Sequence, residues 1–205
     1  MAFLEFKDMR IAGFSAGVPK YIAVNDTVAS KDYAAADFVA TTGVKERRIG
    51  DFTTSDLCYE AAERLLSDLQ WRKEEVGALI FVSQTADYIL PATACILQDR
   101  LGLSKECYAL DVALGCSGWV YGLSVIAGLL SKEGITKALL LAGDAKKRAQ
   151  GASDPLFGHA GTVTAVEYSE GAAGFKFHVG TDGSGFDAII TPDGGSRNQF
   201  TEDSL

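Results

Sequence analysis

Three short, almost purely apolar runs recur along the chain: "VGALIFVSQ" (76–84), "CYALDVAL" (107–114) and "TKALLLAGD" (136–144). A strand buried on both faces reads this way, because neither face is left for polar residues. Helix-like segments separate the runs. Strands that alternate with helices pair in parallel, since a parallel neighbour is reached only by a long crossover. In the first crossover, "LPATACILQDRLGL" (90–103), Pro91 suits a helix opening and Gly102 a helix stop. The second, "GWVYGLSVIAGLLSKEG" (118–134), is helical with Gly134 at its end. The expectation is therefore an α/β layered sheet.

Upstream, "MRIAGFSAGVP" (9–19) alternates like a strand and closes on a turn. "VNDTVASKDYAAADFVATTGV" (24–44) is alanine-rich and helix-permissive, ending at Gly43. "TTSDLCYEAAERLLSDLQW" (53–71) sets Leu57, Ala61, Ala62, Leu65, Leu66 and Leu69 at helical spacing, with Ser55 or Thr54 as the cap and Asp56 in the first turn. Downstream, "GTVTAVEYSEGAAGFKFHVGTDG" (161–183) reads as two strands joined by "SEGAAG", adding an antiparallel edge to the sheet. Residues 1–190 are expected to form the domain, and 191–205, polar and glycine-rich, a linker or frayed tail.

The net charge of −8 argues against nucleic-acid and anionic-membrane partners, which demand basic surfaces. No C-x-x-C pair and only two histidines, His159 and His178, disfavour a zinc site. The start lacks a basic-then-apolar leader and no apolar run reaches membrane-span length, so the expected compartment is a reducing cytoplasm with free thiols.

Of four cysteines (58, 95, 107 and 116), three fall inside helix or strand patterns, where burial suits them. Cys116 differs. It sits in "DVALGCSGW" (111–119), between a strand's carboxyl end and a helix start, with Gly115 and Gly118 around it. Ligands of α/β sheets gather at strand carboxyl ends. Unpaired N–H groups at a helix start favour a thiolate and can hold the oxyanion of an attacked thioester. On spacing alone, two readings stay open: a packed core thiol, or a nucleophile on a tight turn. The opening "GFSAG" (13–17) is not G-x-G-x-x-G, which disfavours a nucleotide-binding reading.

Together, "DVALGCSGWVYGLSVI" (111–126), "TTGVKERRIG" (41–50), "ILPATACILQDRLGL" (89–103) and "LFGHAGTVTAVEY" (156–168) resemble the N-terminal half of β-ketoacyl-acyl carrier protein synthase III. The resemblance runs from about residue 9 to about residue 190. It implies an α/β, thiolase-like half: a mixed, mostly parallel sheet of about five strands with helices on both faces. It makes Cys116 the counterpart of the acyl-accepting nucleophile. The implied reaction is capture of an acyl group from a coenzyme A thioester, then attack on it by decarboxylated malonyl-acyl carrier protein in fatty acid biosynthesis. Acyl-CoA and acyl carrier protein are the implied partners, a homodimer the implied assembly, and no cofactor is bound permanently. Related condensing enzymes, hydroxymethylglutaryl-CoA synthase-like or polyketide-priming, share the cysteine, and a non-catalytic dimerisation or binding domain is the alternative from another class.

The resemblance also places Thr42 and Arg48 near the pantetheine and phosphate channel. Leu90 falls where the family carries a residue gating acyl length, in a loop (83–94) that crosses the dimer. Where prototype members clasp adenine with tryptophan and arginine, this sequence has Asp37 and Thr41, pointing to a specialised priming donor. His159 stands where the family usually has an acidic residue; it either poises near Cys116 or only occupies a turn. His178 reads as structural. "AKKR" (145–148) is a solvated charge run or a contact for carrier-protein phosphate. The family's partner histidine and asparagine match nothing here, so the chain is expected to be a truncated half, inactive in condensation alone.

Overall fold

A computed structural model describes residues 2–25, 35–145 and 155–204. Its strands and helices run β1 (Ala2–Phe6), β2 (Met9–Gly17), β3 (Tyr21–Val24), α1 (Ala35–Thr42), β4 (Glu46–Ile49) and α2 (Thr54–Leu69). They continue with β5 (Ala78–Val82), α3 (Thr93–Arg100), β6 (Tyr108–Val112), α4 (Gly118–Leu129), β7 (Lys137–Asp144), β8 (Ala160–Tyr168) and β9 (Phe175–Val179). The basic run 146–148 lies outside the described residues.

The chain separates into two compact units, Glu5–Phe175, and Met1–Leu4 with Lys176–Leu205. The larger unit holds a five-stranded sheet in the order β2-β8-β7-β5-β6. The three apolar runs are its parallel part: β5 pairs in parallel with β6 and with β7. β8 runs antiparallel to both β7 and β2, which makes the sheet mixed. Every residue of β5 is buried, and each large apolar side chain buried there contributes roughly 1.5–3 kcal/mol. Alternation divides β5 between the faces. Leu79 and Phe81 join Leu139, Leu141, Val163 and the α2 and α3 residues Leu65, Leu66 and Leu97 in one core cluster. Ile80 and Val82 face α4 instead, beside Gly122. Helices thus cover both faces.

Several sequence expectations are corrected. β8 is not an edge strand and makes no hairpin with β9. β8 is buried on both sides (Val163, Ala165 and Val166 all at 0% exposure), so it sits inside the sheet. The turn after it is tied elsewhere: Ser169 N–H donates to the Asp8 carbonyl, Asp8 N–H to Ala172, and Gly171 N–H to Asp8 Oδ1. β9 pairs with β1 in a separate two-stranded sheet, with Phe177 buried and His178 exposed. β6 is not a fully buried strand; it pairs only with β5, and as an edge it leaves Tyr108 44% exposed. α4 ends at Leu129 rather than Gly134, because Leu130 is already extended and bridges Ile135. Pro91 precedes α3 by two positions instead of opening it. Gly43 and Gly102 do follow their helices in left-handed backbone, φ 73° and 64°.

The α2 cap is Thr53, not Thr54 or Ser55. Thr53 accepts from the Asp56 N–H at 3.1 Å while Asp56 Oδ2 accepts from the Thr53 N–H at 3.2 Å, a reciprocal capping box. Thr54 and Ser55 are buried and spend their hydroxyls on other elements. Among the described residues no helix is long and apolar enough to cross a membrane.

Candidate active site

The carboxyl ends of β5, β6 and β7 and the starts of α2, α3 and α4 converge on one end of the sheet. α4 seats tightly at its start because two of its buried positions, Gly118 and Gly122, are glycines. A Cβ at Gly118 would lie 2.5 Å from Val82 Cγ1, and one at Gly122 would lie 2.6 Å from Leu140 Cδ1. Real side chains do not approach so closely, so glycine alone permits this contact. Ahead of α4 the chain turns, Gly118 N–H donating to the Gly115 carbonyl at 2.8 Å. Cys116 rides on this turn, exposed, two residues before the helix. It is no packed core thiol.

The α4 start carries no side-chain cap from Ser117. Its neighbours are filled. At α3 the Asp111 carboxylate, from β6, accepts the Thr93 and Ala94 N–H groups, both at 2.7 Å. Charge-assisted bonds at a helix start are among the strong ones.

A second carboxylate organises the loop after β5. Asp144 Oδ1, at the end of β7, accepts from Ser83 Oγ (2.9 Å), Gln84 N–H (2.9 Å) and Thr85 Oγ1 (3.1 Å). Thr85 meets Thr54 at 2.7 Å, Ser55 Oγ donates to the Asp87 carboxylate, and Asp87 N–H donates to Thr93 Oγ1. The loop carrying Leu90 is therefore anchored at its base to α2 and α3, while Tyr88, Ile89 and Leu90 stand 64%, 98% and 82% exposed. The exposed Gln84 side chain lies against Gly115.

His159 precedes β8, at the same end of the sheet, since Ala160 pairs with Asp144. Its N–H donates to the Arg48 carbonyl at 2.7 Å, and its Nδ1 lies 3.0 Å from the Gly50 carbonyl. These bonds tie it to the end of β4. Arg48 donates to the Lys20 carbonyl at 3.1 Å and is exposed. Thr42 is committed within α1, its hydroxyl donating to the Phe38 carbonyl and accepting from Val44 N–H. A contact path thus joins Arg48, His159, the Asp144 end of β7, Gln84 and the Cys116 turn; Thr42 and Leu90 stand outside it.

Burial pushes Cys58 up to about 12 and Cys107 up to about 11, so both stay protonated at neutral pH. Cys95 is exposed on α3, a correction to its expected burial. Beside the first turn of α4, Trp119 donates to Thr164 Oγ1 at 3.1 Å and lines an apolar pocket of about 470 Å³ with Phe14 and Ala16. Among the described residues no group of three His, Cys, Asp or Glu side chains gathers to hold a metal ion.

Sequence reasoning missed Asp111, Asp144 and Gln84. The available signal was a carboxylate inside one apolar run and another closing the next, both at strand carboxyl ends.

Residues 110–183 match the family described as 3-oxoacyl-[acyl-carrier-protein] synthase III. β-Ketoacyl-[acyl-carrier-protein] synthase III of Desulfitobacterium hafniense is 31% identical over 95% of this chain and 61% of its own length. The Xylella fastidiosa enzyme of the same name is 35% identical over 90% of this chain and 59% of its own. The crystal structure of 3-oxoacyl-(acyl carrier protein) synthase from Burkholderia xenovorans superposes with a TM-score of 0.88 at 39% identity, over 97% of this chain and 59% of that one. The synthase III from Pseudomonas aeruginosa superposes at 0.78 with 28% identity, over 96% and 64%. The chain thus spans about 60% of the length of the relatives it matches.

Proposed function

We infer that this chain, related along nearly its whole length to the N-terminal half of 3-oxoacyl-[acyl-carrier-protein] synthase III on a thiolase-like fold, supplies the acyl-accepting half of that family's condensation. Cys116 is the nucleophile. The observation that carries this reading is an exposed thiol on a tight turn before a helix start whose N-cap, Ser117, makes no side-chain cap.

The Cys116 thiolate attacks the thioester carbonyl of an acyl-CoA. On this reading the oxyanion draws on N–H groups at the α4 start, since such charge is stabilised most by donors already fixed. The coenzyme A thiolate then leaves, and the acyl group stays on Cys116 as a thioester. Malonyl-acyl carrier protein loses carbon dioxide, its carbanion attacks the acyl carbonyl, and the Cys116 thiolate departs from the β-ketoacyl product. Covalent capture divides one hard carbon–carbon step into easier ones. The histidine and asparagine that assist decarboxylation in the family belong, by the resemblance, to its second half. The 205-residue chain is therefore expected to accept an acyl group without completing the condensation.

Acyl-CoA and acyl carrier protein are the partners of this reading, and a cytoplasmic homodimer with no permanent cofactor its setting. Arg48 supports phosphate contact through an exposed guanidinium, and the exposed Leu90 supports a gating contact with a second subunit. Thr42 would serve the channel through the backbone it caps. The test is intact-mass and peptide mass spectrometry after mixing the chain with acetyl-CoA and with longer acyl-CoAs. One acyl group on Cys116 is expected; acylation of another thiol, or none with any donor, overturns the reading.

A further inference from the structure

We infer that Gln84 is a positioning residue for Cys116, its carboxamide occupying the side-chain place that Gly115 leaves empty and so fixing the turn that presents the sulfur. This deepens the reading of Cys116 as the nucleophile and rests on it. A Cβ at Gly115 would meet Gln84 Oε1 at 2.8 Å, Cδ at 3.1 Å and Nε2 at 3.3 Å. The carboxamide therefore lies flat against the residue preceding Cys116. Its backbone is held independently: Gln84 N–H is one of three groups gathered by Asp144 Oδ1, with Ser83 and Thr85 on either side. Ser83 is buried, and Thr85 is bonded onward to Thr54 of α2. The turn that carries Gln84 is thus fastened to β7 and α2, whereas the Cys116 turn is closed by the Gly118 N–H to the Gly115 carbonyl and joined to α4 by the Tyr121 N–H to the Ser117 carbonyl. The turn bearing the nucleophile is braced by one fastened to two other elements. Small displacements of reacting groups carry large rate costs, which is why such a brace matters.

The geometry makes a specific demand. Gln84→Ala removes the carboxamide, and Gly115→Ala displaces it with a methyl group; both changes delete one contact. Their effects on Cys116 must overlap. The experiment is a double-mutant cycle on the 205-residue chain, read as the rate of iodoacetamide alkylation at Cys116 by peptide mass spectrometry, with Cys58 labelling and thermal unfolding followed in the same samples. Each single variant is expected to slow Cys116 about fivefold and the double variant about fivefold again relative to the unsubstituted chain, not the roughly 25-fold of independent effects. Gln84→Met, which keeps the bulk, should restore most of the rate, and Arg64→Ala on the exposed side of α2 should leave it unchanged. Independent, multiplying effects overturn the inference, and so does slowing that appears only together with Cys58 labelling. If Gly115→Ala fails to fold, Asp144→Asn paired with Gln84→Ala completes the cycle, with the same overlap expected. Alkylation needs no acyl donor. A coupled cycle with no acyl adduct on Cys116 would retain the brace and remove the condensing reaction; an adduct with an additive cycle would do the reverse.

Discussion

The starts of α3 and α4 sit at the same end of one sheet and are built to opposite specifications. At α3 the Asp111 carboxylate closes two N–H groups at 2.7 Å, so the positive end of the helix is already occupied by a fixed anion. At α4 the N-cap Ser117 makes no side-chain cap, and the exposed Cys116 stands just ahead of it. The α2 start follows α3, with Thr53 and Asp56 capping each other. Orphan N–H groups at a helix start cost stability unless something satisfies them, and two of three helices here satisfy them internally. At the third, Gly118 N–H goes to the Gly115 carbonyl and Tyr121 N–H to the Ser117 carbonyl, and Ser117 adds no side-chain bond.

The comparison can be broken most decisively at the sulfur. Cys116→Ala should abolish acyl-adduct formation with acyl-CoA while leaving thermal unfolding within about 1 kcal/mol, as expected for an exposed position; an adduct that persists on another thiol would erase the distinction between the two helix starts. Next in size is Asp111→Ala, which strips the α3 start of both bonds. A loss of about 3 kcal/mol in chemical denaturation is expected, and no loss would mean water serves α3 as well as the carboxylate does. Gly118→Ala forces a methyl into Val82 and lifts α4 from the sheet; about 2 kcal/mol of destabilisation with slower Cys116 alkylation is expected. Thr53→Ala should cost about 1 kcal/mol by removing half of the α2 capping box.

The smallest effect concerns pH. Hydrogen bonds from Lys137 and from the Arg72 backbone hold Glu75 down at about 2, against an ordinary 4.5. A depressed folded-state value means that the contribution is complete above pH 4.5 and fades as pH falls toward 2. Glu75→Gln should flatten that part of the stability profile while leaving Cys116 alkylation at pH 7 unchanged. Asp56 behaves similarly: burial raises its carboxyl, but the Thr53 and Arg100 bonds outweigh burial and hold it below its ordinary value.

Where periodicity ran long, the elements were legible. β2, α2, β5 and β7 all formed where their apolar spacing put them, and α4 began there but stopped at Leu129. The exceptions share a cause. β8 and β9 look alike as strings, yet the turn between them is tied to Asp8 and they join different sheets. β6 reads as apolar as β5, yet at the sheet edge Tyr108 is exposed and the rest of the strand only partly buried. Thr53, Thr54 and Ser55 are all competent caps by type; burial of the latter two selected the first. Within the site, Cys116 stood out by its glycine-flanked place between strand and helix. Asp144 and Gln84 did not, because a carboxylate or an amide near a strand end reveals nothing of its partners 60 and 31 positions away.

By itself the sequence determined the layers, the strand–helix alternation, and the turn on which the distinctive cysteine stands, because hydrophobic period and glycine placement act locally. Tertiary structure alone decided which strand became an edge, which carboxylate filled the α3 start, and which side chain packs against Gly115. Those outcomes depend on groups brought together across the sheet, and no local pattern carries distances between residues far apart in the chain.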